Sequence, residues 1–130
     1  MTLGEFMRTF PDDAACLDRL WRARFASDGH HAHCPRCNRI RKFHRTRTRA
    51  SYTCDSCGLH IHPMKGTIFE KTTTPLRLWF YAIYLQRNTD GRLTAKRLER
   101  ELGVSYKTAR RMVHKIDSGE LPVDVSVVGA

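Results

Sequence analysis

Two Cys-x2-Cys pairs, Cys34-Pro-Arg-Cys37 and Cys54-Asp-Ser-Cys57, stand 16 residues apart. That spacing is the one expected of a four-cysteine zinc site. Two residues between thiolates let a tight turn aim both sulfurs at one ion about 2.3 Å away, and two such turns complete a closed tetrahedron. A closed site leaves no position for a bound water, so one Zn2+ here is expected to be structural rather than catalytic. Pro35 suits the first turn, and Gly58 follows the second, where a left-handed residue is useful. A disulfide set or an iron-sulfur cluster are the competing readings. His30, His31, His33, His60 and His62 flank the pairs, and one of them is an alternative ligand, although four well-spaced thiolates need no substitute. Structural zinc contributes on the order of 10 kcal/mol to folding, so without it this segment is expected to unfold.

Around that segment the chain changes character twice. Asp12 and Asp13 follow Pro11 and can cap a helix whose apolar residues Leu17, Leu20, Trp21 and Phe25 recur at helical spacing. Cys16, one residue off that stripe, is expected to be a small buried or half-buried hydrophobe. Ser27-Asp28-Gly29 breaks the helix. Three short strand-like pieces follow, Ile40 to Phe43, Ser51 to Cys54 and His60 to Met64, too short to hold together without the metal. From Thr74, a plausible N-cap with Pro75 at the first helical position, a helix runs from Leu76 to about Arg87, apolar on nearly every side and so expected to be buried against both neighbours. A turn at Asn88-Thr89-Asp90-Gly91 leads to a helix over Thr94 to Leu102. Gly103 fits a left-handed helix end, and Ser105 can cap a last helix to about Ile116. The expected fold is thus small α+β: an N-terminal helical segment (1–29), a zinc ribbon (30–70), a three-helix helix-turn-helix (71–118) and a tail (119–130).

Charge then points to a partner. The chain has 130 residues, with 23 Lys+Arg against 13 Asp+Glu and a net charge of +10, which favours a polyanion. The longest apolar run, Leu78 to Leu85, is less than half a bilayer span, so no membrane role is expected. The segment 1–10 lacks a signal-peptide core, and the odd cysteine count suits a reducing compartment; the expected location is the cytoplasm, associated with the nucleoid. Between the cysteine pairs stand Arg39, Arg41, Lys42, Arg45, Arg47 and Arg49 without one acid. Arg45, Arg47 and Arg49 alternate with threonine and are expected to project from one face of an extended loop, a spacing that suits successive phosphates. In the last helix Ala109, Met112, Val113 and Ile116 share one face, and Lys107, Arg110, Arg111 and His114 the opposite one. In a helix-turn-helix the second helix enters the major groove, so Ser105, Tyr106, Lys107, Thr108 and Arg110 are candidates for base contacts. Arg111, Lys115, Lys96 and Arg100 are candidates for phosphates. Glu99 stands where many such motifs place a small residue.

The ordered features resemble the N-terminal region of bacterial transposases of the insertion sequence 1595 group. The matching pieces are Cys34-Pro-Arg-Cys37, Tyr52-Thr-Cys54-Asp-Ser-Cys57, Gly66-Thr-Ile-Phe69, Pro75-Leu-Arg-Leu-Trp79-Phe-Tyr-Ala-Ile-Tyr84-Leu and Gly103-Val-Ser-Tyr-Lys-Thr-Ala109. The resemblance implies a DNA-recognition module. In that family a catalytic domain follows, and Asp124 falls where its first catalytic aspartate would lie. Two-metal chemistry needs several converging carboxylates, so Asp124 is expected to be a remnant and the chain a non-enzyme. The expected function is zinc-dependent, sequence-specific binding of double-stranded DNA, as a transcription regulator derived from a transposase. The alternatives are a non-catalytic transposase fragment on transposon ends and a protein-interaction ribbon. Transcription machinery, or a second copy through the tail from Leu121, are further expected partners.

Overall fold

Thr2 and Glu5 open the chain with a reciprocal capping box: the Thr2 side chain accepts from the Glu5 backbone N–H at 3.2 Å, and the Glu5 carboxylate accepts from the Thr2 N–H at 3.3 Å. They start α1 (Leu3–Thr9), a helix the sequence reading did not place ahead of α2 (Asp13–Arg24). Its signal was present, because Leu3, Phe6, Met7 and Phe10 follow i, i+3, i+4, i+7 spacing. Asp12 caps α2, accepting from the Ala15 N–H at 2.9 Å, whereas the Asp13 carboxylate accepts from the backbone N–H of Arg77 at 2.8 Å. Cys16, Leu17, Leu20 and Trp21 are buried along α2, and Phe25, just past its end, is 40% exposed. Burial first, with Asp13 nearby, pushes the Cys16 thiol up to about 12. Cys16 is therefore a packed hydrophobe, as expected.

The computed structural model describes residues 2–89, 92–118 and 121. Within it, β1 (His31–Cys34), β2 (Arg39–Arg45), β3 (Tyr52–Cys54) and β4 (His60–Ile61) form an antiparallel meander in chain order. Three of these strands coincide with the expected pieces. β1 was missed because its His-Ala-His-Cys carries little β signal, and its pairing comes from the β2 partner: His31 lies opposite Lys42 and Cys34 opposite Arg39. The last strand ends at Ile61 rather than Met64, since Pro63 cannot donate to a ladder. Because side chains alternate, Ala32, Cys34, Phe43, Tyr52 and Cys54 turn to the buried face and His31, His33, Lys42, His44 and His60 to the exposed one. Trp21 joins α2 to that buried face. It stacks on Tyr52 at 4.3 Å between ring centres, lies 5.4 Å from Phe43, and donates its indole N–H to the Gly29 carbonyl at 3.0 Å.

Phe69, fully buried in the connecting segment, packs edge-on against Trp79 at 5.6 Å and leads into the helical half. There α3 (Leu76–Asn88), α4 (Ala95–Leu102) and α5 (Tyr106–Ser118) contact one another, and α3 also contacts α2. The α3 start corrects the sequence reading. Pro75 has ψ 139°, extended rather than helical, so it occupies the cap position with no side-chain cap, and Thr74 caps nothing. Thr72 acts instead, its hydroxyl accepting from the Thr74 backbone N–H at 3.1 Å and from the Trp79 indole at 3.0 Å. Seven of the thirteen α3 residues are buried, Leu76, Trp79, Phe80, Ala82, Ile83, Tyr84 and Leu85, consistent with its all-round apolar sequence. The Thr94 hydroxyl caps α4 by accepting from Arg97, and Gly103 ends it in the left-handed region at φ 71°. No helix among the described residues is long and apolar enough to cross a membrane. Leu121 packs partly buried on the core. The tail residues 122–130, with Asp124, and Asp90-Gly91 of the expected turn lie outside the described residues.

Candidate metal centre and nucleic-acid surface

Each cysteine pair sits where a strand ends in a tight turn. Cys34 closes β1, and the Asn38 N–H donates back to the Cys34 carbonyl at 2.7 Å. Cys54 closes β3, and the Gly58 N–H donates to the Cys54 carbonyl at 2.9 Å. The two turns end alike, in left-handed residues, Asn38 at φ 55° and Gly58 at φ 79°. Gly58 was read from the sequence; Asn38, a residue that tolerates this region, is its counterpart. Arg36 reaches between the turns to donate to the Cys57 carbonyl at 3.2 Å. The four sulfurs lie within 4.8 Å of one another, with 3.5 Å between those of Cys34 and Cys57. A tetrahedron of Zn–S bonds about 2.3 Å long has edges of about 3.8 Å, so the sulfurs fit one zinc ion with little adjustment.

The electrostatics favour a thiolate at Cys34 and Cys54. Burial opposes ionisation of Cys34, yet the backbone N–H of Cys37, the Cys57 thiol and the N–H of Arg36 bring it down to about 7. Cys54 is likewise lowered against burial, by the N–H groups of Cys57 and Ser56. Cys57 keeps its proton longest: although the Leu59 N–H favours its thiolate, burial and the other three sulfurs push it up to about 11. No histidine joins the cluster, the four cysteines being the metal-ligand group found among the described residues. His31 Nδ1 instead meets the Asp28 carboxylate at 2.7 Å, and His60 Nδ1 the Thr53 hydroxyl at 3.1 Å. The cysteines are not paired as disulfides.

With that geometry in place, residues 11–60 match the family model of the transposase zinc-ribbon domain. This segment is similar to a transposase-type zinc ribbon. Its four cysteines hold one structural Zn2+, the only metal group the described residues form. Over 113 residues, 84% of the chain, the protein is also 28% identical to an uncharacterized protein in transposable element ISH50 of Halobacterium salinarum. The chain spans 36% of that relative's length. No solved structure matches.

The basic residues of the ribbon divide between two faces. The register sets Arg39, Arg41 and Arg45 on the Phe43 side and Lys42 on the opposite side. Arg39 and Lys42 are exposed, whereas Arg41 is half-buried and its Nε is buried without a hydrogen-bond partner. The expected extended loop is not formed. Residues 47–50 bend, and the Arg45 guanidinium turns back to donate to the carbonyls of Thr46 at 2.6 Å, Arg49, and Ser51 at 3.3 Å, while Arg47 and Arg49 remain exposed. Bending follows from the tight return of β2 into β3, with the Thr46 N–H donating to the Ser51 carbonyl at 2.9 Å.

In the helical half, Ala109, Met112 and Ile116 are buried and Lys107, Arg110, Arg111 and His114 are exposed. Ser105 caps α5, its Oγ accepting from the Thr108 N–H at 3.2 Å and meeting the Thr108 hydroxyl at 3.0 Å. Tyr106 is 45% exposed, with the Lys96 ammonium 5.7 Å from its ring centre. Arg100 is exposed on α4, and Lys115, Thr108 and Glu99 are half-buried. Two contacts escaped the sequence reading, Arg36 across the cysteine turns and His44 against the Asp55 carboxylate. Their sole local sign is placement beside metal ligands or in the basic run.

Proposed function

We propose that this chain binds double-stranded DNA sequence-specifically and in a zinc-dependent way, with α3, α4 and α5 acting as a helix-turn-helix. The observation that carries this reading is α5, whose buried Ala109, Met112 and Ile116 leave Lys107, Arg110, Arg111 and His114 together in solvent behind an exposed, capped N-terminus. A helix seated in this way presents its first turn, Ser105 to Thr108, and Arg110 to base edges. Lys96, Arg100, Arg111 and Lys115 surround it as phosphate contacts. The ribbon adds Arg39, Arg41, Lys42, Arg45, Arg47 and Arg49 as a second basic surface on the same duplex. The chain's own contribution is binding rather than catalysis, since a zinc closed in by four thiolates activates no water. On this reading it works on cytoplasmic, nucleoid DNA as a regulator of transcription, with transcription machinery or a second copy as further partners.

A second reading, binding of transposon ends as the recognition part of a transposase-related protein, is favoured by the relative in a transposable element, of which this chain spans 36%. Genome-wide mapping of bound DNA separates the two: occupancy at promoters supports regulation, and occupancy at inverted repeats supports end recognition. Direct readout has its own test. Arg110→Ala should cost about 1–3 kcal/mol of discrimination between preferred and scrambled duplexes in a mobility-shift titration. Equal loss on all sequences makes Arg110 a phosphate contact instead.

A further inference from the structure

The four cysteines are not equally sheltered. Cys34 and Cys54, which close β1 and β3, are buried, whereas Cys37 and Cys57, the second members of their pairs, are half-buried. The sulfur cluster therefore has one edge toward solvent, and thiolate reactivity follows such exposure. Each cysteine turn is closed by its own backbone bond, from the Asn38 N–H to the Cys34 carbonyl at 2.7 Å and from the Gly58 N–H to the Cys54 carbonyl at 2.9 Å. Neither bond ties one turn to the other. Arg36 does: it stands inside the first pair, in Cys34-Pro-Arg-Cys37, and its guanidinium donates to the carbonyl of Cys57, a half-buried member of the second pair, at 3.2 Å. The acid of the second turn, Asp55, is held by His44, and Arg36 meets the backbone instead. Its charge suits the place as well. Four thiolates around one divalent ion leave negative charge in excess, and a guanidinium at the solvent edge offsets part of it.

We propose that Arg36 is a positioning residue of the metal centre, a latch across its solvent edge that holds the Cys57 turn against the Cys34 turn and slows the loss of zinc. The latch does not select which residues bind the ion. It sets how readily the Cys37–Cys57 edge opens to a competitor. The inference concerns the ribbon by itself and is independent of the DNA-binding reading.

The test uses the zinc-loaded full chain mixed with an excess of a chromogenic chelator, with zinc release followed as the dye complex forms. Arg36→Met, which keeps the length of the side chain and loses its charge and donors, should release zinc about three- to tenfold faster, the range of one net hydrogen bond. Arg36→Lys, which keeps a cationic donor, should recover most of the wild-type rate. Cobalt-loaded Arg36→Met should retain the wild-type absorption of a tetrahedral four-sulfur site, because its ligands are unchanged. A wild-type release rate in Arg36→Met would overturn the latch. Equal acceleration in the Met and Lys variants would assign the effect to the packing of the arginine stem and overturn it too. Loss of the four-sulfur absorption in Arg36→Met would make Arg36 a requirement for forming the site rather than a latch on its edge, and would also overturn the proposal.

Discussion

Trp21 touches more of the molecule's separate parts than any stripe position on α2 requires. It is fully buried, stacked on Tyr52 from β3, packed near Phe43 from β2, and hydrogen-bonded to Gly29 in the turn before β1. Trp21→Ala should therefore destabilise the zinc-loaded protein by about 3–5 kcal/mol in denaturant titrations. Trp21→Phe, which keeps the stacking and loses the N–H, should lose clearly less. Asp28 works in the same turn. Backbone N–H donation from His30, then from His31, then the His31 ring, holds its carboxyl well below the usual carboxylate range. A folded-state pKa lowered in this way contributes stability above the unfolded value of about 3.9 and loses it as pH falls through the folded one. The stability gap between wild type and Asp28→Asn should thus be present at about pH 5 and narrow as pH falls further through the acid range. A gap that widens below about pH 4 contradicts that sign.

Among the elements, helix ends were the most legible and sheet ends the least. Gly103 and Ser105 act where local chemistry places them, because a cap needs only residues within one turn, and Thr94, read as the first helical residue, is the cap one position earlier. Gly103 carries a prediction for the α4–α5 pair. It sits at φ 71° with open space where a Cβ would be, so Gly103→Ala costs only backbone strain, about 1–2 kcal/mol in thermal unfolding. Asn at the same position should recover most of the loss. Pro75 shows how a local rule shifts by one residue: its fixed φ suits either the first helical position or the cap, and the hydrogen bonds of Thr72 select the cap. β1 was illegible for a different reason. Its four residues gain strand geometry only from β2 across the cysteine turn, and no property of His-Ala-His-Cys announces that partner.

At the scale of the whole molecule, the zinc and the helices support different halves. The strands contact one another, and the helices are joined through α2–α3 and the α3–α4–α5 group. Removing zinc with a chelator should abolish the dispersed amide signals of residues 31–61 and change the near-ultraviolet signal of Trp21, while most far-ultraviolet helical signal persists. Complete loss of helix would show that the ribbon holds α3–α5 together as well. The metal centre could be read from residue spacing, because two-residue gaps within each turn confine the sulfurs before any long-range contact forms. The buried face of α5 could be read as well, because 3.6-residue periodicity is a property of the helix alone. Where the ribbon's charges point could not be read in that way. Arg39, Arg41 and Lys42 are separated onto opposite faces by strand register, and Arg45 is folded back onto the carbonyls of a loop that bends. Register and loop path depend on Trp21, Phe43 and Tyr52 packing across long sequence separations, and a one-residue slip would exchange the two faces.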